Sequence, residues 1–60
     1  MENNTLYTIL LDNNSLSVFD TLETARLHFQ SAKESFTGYL TETEIKLVDN
    51  NGIIHLTHNF

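Results

Sequence analysis

The groups able to do chemistry are few: three histidines, eight carboxylates and no cysteine in 60 residues. His55 and His58 stand three apart on an expected strand, so their side chains point to opposite faces and cannot readily chelate one ion; His28 lies apart on the flank of an expected helix. No metal is expected. Asp49-Asn50-Asn51-Gly52 has the opening pattern of a calcium loop, but the spaced second acid and the bidentate Glu that complete such a loop are missing. Turn chemistry accounts for it better.

Glu42 and Glu44 share an expected strand face about 7 Å apart by strand geometry, a separation that suits paired glycosidase carboxylates. A domain this small has no deep cleft to desolvate them, and a solvated sheet face is the simpler reading. No Gly-rich phosphate loop exists and no Ser sits in a nucleophile-elbow context. The chain is expected to be non-enzymatic and to need no cofactor.

The elements that must position these residues can be read from pattern. Thr5 to Leu11 is a strand with Tyr7, Ile9 and Leu11 on one face and Leu6, Thr8 and Leu10 on the other, apolar on both sides and so expected at the centre of its sheet. Leu16 and Val18 alternate with Ser15 and Ser17 in a half-buried pattern ending at Phe19, as in a short edge strand. Asp20-Thr21-Leu22-Glu23 has the form of a capping box with Asp20 as the cap. Leu22, Ala25, Phe29, Ala32 and Phe36 then recur at spacings of three and four, the stripe of a helix laid on a sheet, while Leu27 falls on the outer side with Glu23, Gln30 and Glu34. Gly38 can absorb the change of direction after the helix.

Tyr39 to Asp49 and Ile53 to Thr57 read as a second strand pair. With a two-residue loop, Ile45 and Leu47 share the core face with Ile54 and Leu56, and the opposite face carries Glu42, Glu44, Lys46, Val48, Ile53 and His55, with Leu40 at its start. A three-residue loop would set Leu47 opposite His55 unless a bulge intervened. Leu11-Asp12-Asn13-Asn14-Ser15-Leu16 returns as Val48-Asp49-Asn50-Asn51-Gly52-Ile53. Both are hairpin turns, and convergence on turn chemistry explains the repeat more simply than duplication.

The whole chain, residues 1 to 60, is expected to be one α+β domain: a ββαββ layer with a four-stranded antiparallel sheet, favoured order 2-1-3-4, and one helix on one face. Pairing the first strand with the fourth is the alternative. In the favoured order the helix is a crossover between like-directed strands, expected to be right-handed. At this length only about 60% of the unfolded surface is buried, and without Cys no disulfide or zinc ribbon can add stability.

A formal charge of -5, with Arg26, Lys33 and Lys46 dispersed, argues against direct nucleic-acid binding and against anionic membranes. No run approaches the roughly 20 apolar residues of a membrane span. Met1-Glu2-Asn3-Asn4 has no basic segment ahead of an apolar stretch, so a cytoplasmic protein is expected. Asn3-Asn4-Thr5 and Asn13-Asn14-Ser15 match the glycosylation pattern, which matters only in a secreted chain.

The sheet face away from the helix, with Leu6, Leu10, Leu40, Val48 and Ile53 among Glu42, Glu44 and His55, exposes much apolar surface for 60 residues. A protein-binding module is expected, possible partners being a second copy or another protein with a basic surface. The expected contact residues are Glu23, Leu27, Gln30, Glu34, Glu42, Glu44, Val48, Ile53 and His55. Small acidic proteins without catalytic groups are typical of phage or mobile-element inhibitors that block a host protein in the host cytoplasm. An accessory subunit of a host complex is one alternative. A nucleic-acid mimic using Asp12, Asp20, Glu23, Glu34, Glu42 and Glu44 is another; occlusion through Leu27, or through Leu10, Val48 and Ile53, fits eight scattered acids better.

Overall fold

In a computed structural model that describes residues 5–60, the chain runs β1 (Tyr7–Leu11), β2 (Asn14–Phe19), α1 (Leu22–Phe36), β3 (Glu44–Asp49) and β4 (Ile54–Asn59). Residues Met1 to Asn4, on which the signal reading and the first glycosylation pattern rest, lie outside the described residues. The sheet is antiparallel in the order β2-β1-β3-β4, as expected from the two-faced β1. No described helix is long and apolar enough to cross a membrane.

The core is the expected stripe meeting the expected strand face. Ala25 and Phe29 of α1 are buried against Ile9, Ile45 and Leu47, and Tyr7, Leu11, Phe19, Leu22, Ala32, Leu56 and Phe60 close the sides. α1 lies across β1, β2 and β3, and the Phe36 ring meets Phe60 edge to face at 6.4 Å near the chain's end. His28, on the flank of α1, stacks on Phe19 at 4.5 Å and covers the β2 side of the core.

The helix starts one residue later than the capping box suggests. Thr21, not Asp20, is the cap: its backbone is extended and its Oγ1 accepts from Thr24 N–H at 3.3 Å while its hydroxyl donates to Thr24 Oγ1 at 2.8 Å. Both residue types cap well, so the sequence alone could not choose. Thr21→Ala is therefore expected to cost about 1 kcal/mol, and Asp20→Ala less than about 0.5 kcal/mol, in urea unfolding. At the other end Thr37 closes the helix, its N–H and Oγ1 both donating to the Lys33 carbonyl. Gly38 follows at φ +91°.

The two turns of similar sequence are built differently. In the first, Leu11 pairs with Asn14, and Asp12 and Asn13 both take left-handed backbone, the geometry of a two-residue hairpin loop. In the second, Gly52 N–H donates to the Asp49 carbonyl and Asp49 N–H to the Ile53 carbonyl, each at 3.0 Å, so the loop holds three residues and Gly52 supplies φ +84°. The two-residue loop expected for this hairpin is thus corrected. Gly52→Ala meets no neighbour but must hold left-handed backbone; a loss of about 1 kcal/mol is expected in thermal unfolding.

The longer loop is offset by a bulge. Leu47 pairs with Leu56 but Val48 pairs with Ile54, leaving His55 as the extra residue of β4. Leu56 therefore reaches the core as expected, while Ile54, expected there, faces away from the helix beside Val48. A second bulge lies in β2, where Ile9 pairs with Ser17 and Leu10 with Ser15, leaving Leu16 as the extra residue. Val18 then faces away from the helix and is 55% exposed rather than half-buried. β3 begins only at Glu44: Tyr39 is exposed, and Glu42 sits in the preceding loop with φ +56°.

Candidate protein-docking surfaces

The strand register assigns every position on the open face. Val18 pairs with Thr8, Thr8 with Val48, and Val48 with Ile54. One straight row of β-branched side chains therefore crosses all four strands on the side away from α1. Leu6 and Leu10 flank it along β1, by alternation about Thr8. Beyond it, Leu10 stands among polar neighbours, Ser15, Lys46 and Thr57, and the last row is Glu44 and Asn59. Lys46 Nζ lies 3.3 Å from Glu44 Oε1, so the one acid that the described residues place on this face has its own cation. The face is apolar toward the β3–β4 turn and polar toward the other end, where Asp12 and Glu42 lie beside Glu44.

The nine residues expected to bind are divided among separate surfaces. Glu23, Leu27, Gln30 and Glu34 are exposed on the outside of α1, and Leu27, 67% exposed, lines a shallow groove with Leu22, Glu23, Arg26 and Gln30. Glu42 and Glu44 line a depression at one end of the sheet with Asp12, Thr43, Asn59 and Phe60; Glu42 does not share a strand face with Glu44. Val48 is on the open face as expected. Ile53 lies in the turn before β4, its place on the open face taken by Ile54.

His55 is the largest displacement. The three-residue loop brings it to the helix side, where its Nε2 donates to Asp49 Oδ2 at 2.9 Å and its ring meets Tyr7 edge to face at 5.5 Å, and the bulge then lets Leu56 take the place opposite Leu47. Asp49 is nearly buried, and its Oδ1 also accepts from the N–H groups of Asn51 at 2.8 Å and Ile53 at 3.0 Å. The Ile53 N–H first, then His55 and Asn51, hold the carboxyl below its ordinary 3.8 against the opposing effect of burial. The pair therefore acts as a latch across the turn. His58 pairs with Ile45 and packs against Phe60, so it too lies on the helix side, contrary to the opposite-face expectation for the two histidines. Among the described residues no three His, Asp or Glu gather where they could hold a metal ion.

The chain matches no protein-family model, no curated protein and no solved structure. The row from Val18 to Ile54 could not be found from sequence, because Val18 reaches it through the β2 bulge and Ile54 through the third residue of the β3–β4 loop. Leu6, Leu10 and Val48 were readable, since β1 and β3 are regular and follow strict alternation.

Proposed function

We propose that this chain is a non-enzymatic protein-binding module that works by covering a partner's surface with its open sheet face. The observation that carries this is the uncovered row Val18, Thr8, Val48 and Ile54 with Leu6 and Leu10 beside it. Half-exposed β-branched groups in such a row have few rotamers to lose on docking, and contiguous apolar surface of this kind marks contact sites. Two further features support docking on the face. Both outer strands carry bulges, which disrupt the ladder that an added strand would need. The grooves are shallow, and among the described residues no buried side-chain N or O is left without a hydrogen-bond partner. Nucleic-acid mimicry is less well supported, because Glu23 and Glu34 lie on the helix while Asp12, Glu42 and Glu44 gather at the end of the sheet.

The test is capture by immobilised protein from an extract of the cells that encode it, comparing the wild type with Val18→Glu/Ile54→Glu and with Leu27→Glu. Occlusion through the sheet predicts that partners retained by the wild type and by Leu27→Glu are lost from the double variant. Retention by the double variant with loss from Leu27→Glu would move the function to the helix exterior. Glu42→Gln/Glu44→Gln should change capture little; a large loss would favour mimicry.

A further inference from the structure

We infer that the occupant of the open face is a second copy of this chain, packed sheet to sheet about a two-fold axis; this rests on the reading of that face as a docking surface. Charge is the first argument. The protein carries a net charge of -5, so two copies repel unless they meet where charge is absent. Among the described acids, Asp12 lies in the first turn, Asp20 precedes the helix, Glu23 and Glu34 are on its outer side, Glu42 is in a loop, and Asp49 faces the helix side. Only Glu44 is on the open face, and Lys46 neutralises it at 3.3 Å. Among the described residues a basic partner would find no unpaired acid on the face itself, Asp12 and Glu42 lying at its end. An identical neutral apolar face matches it.

Geometry is the second argument. A two-fold interface sets the same patch against itself, which a straight row of similar side chains spanning the sheet satisfies without a special counterpart. Sheets stack about 10 Å apart with interleaved side chains, as β-branched rows allow. Area is the third. Four strands about 4.8 Å apart and about 20 Å long present roughly 400 Å² in plan, on the order of 600 Å² accessible once side-chain relief is included. Two faces together would bury on the order of 1,200 Å², the lower end of the range for specific interfaces. The dimer should therefore be reversible on dilution. It would keep the two α1 helices, the Leu27 grooves and the acids outside.

The test is sedimentation velocity of the purified full chain alone across a wide dilution series, with Val18→Glu/Ile54→Glu and Leu27→Glu beside it. The wild type and Leu27→Glu are expected to move from dimer to monomer on dilution. The double variant should weaken association by about a hundredfold or more, because each copy would bury unpaired carboxylates against its twin. Circular dichroism confirms that the variants fold, since both positions are half exposed on outer strands. Independently of any variant, a mixture of isotope-labelled and unlabelled wild type should show intermolecular contacts among the Val18, Val48 and Ile54 methyl groups. A wild-type monomer at every concentration overturns the second-copy assignment, and a foreign partner of the same face would then be found by the capture experiment. A dimer untouched by the double variant, or with intermolecular contacts on the helix side, overturns it as well.

Discussion

Phe29→Ala is expected to leave a large fraction of the molecules unfolded at room temperature. Phe29 is the one aromatic ring that α1 buries fully in the core, and it seals Ile9, Ile45 and Leu47 from water. Truncating such a ring removes about 3–5 kcal/mol. A domain of this size has roughly 3–9 kcal/mol in total, and neither a disulfide nor any proline is present to restrict the unfolded chain. Leu47→Ala, fully buried at the sheet centre, should cost about 2–5 kcal/mol. Urea titration followed by circular dichroism checks both. Leu27→Ala, on the outer side of the same helix, should stay within about 0.5 kcal/mol of the wild type. Equal effects at Leu27 and Phe29 would mean that the helix packs by a different face.

The second large effect is expected at Asp49. Its carboxylate accepts from two turn N–H groups and from His55. Asp49→Ala leaves all three donors without this acceptor and should lower the thermal midpoint by several degrees, with fraying of the β3–β4 hairpin visible in amide exchange. Asp49→Asn keeps an oxygen for the two N–H groups and should restore much of the loss. The pH dependence has a definite sign. Because the folded carboxyl is held below its ordinary 3.8, its contribution is full well above that value and is lost as pH falls through the lower folded value. Stability of the wild type should therefore drop on acidification, and Asp49→Asn should flatten that limb. An unchanged acid limb in Asp49→Asn would show that other carboxylates control it.

These two sites differ in how far they could be read in advance. Phe29 stands in a stripe at spacings of three and four, and Ile9, Ile45 and Leu47 follow strict alternation, so the helix face, the inner sheet face and the strand order were all legible. The latch was not. Asp49 was read as turn chemistry and His55 as a residue of the open face, because a one-residue change in loop length and one bulge each reverse side-chain parity, and nothing in the residue types marks a bulge. The loop length by itself exchanged Ile53 for Ile54 on the open face. In β2, Val18 was read as half-buried for the corresponding reason. Thr21 and Asp20 are chemically equivalent cap candidates, and Glu42 gave no sign that its backbone would be left-handed. Regular periodicity was legible, and local backbone departures were not.

The strand order has a consequence for how quickly the chain folds. Each hairpin closes over two or three residues, but β1 and β3 meet only after β2, the helix and the following loop have been laid down between them. Loop-closure entropy thus falls on the central seam, and neither two-stranded hairpin is stable alone. Truncations at Ile9, Leu47 and Phe29 should slow refolding, whereas truncations at the outer positions Val18 and Thr57 should act by speeding unfolding. With no proline to isomerise, refolding should follow a single exponential whose rate is set by the meeting of the two halves.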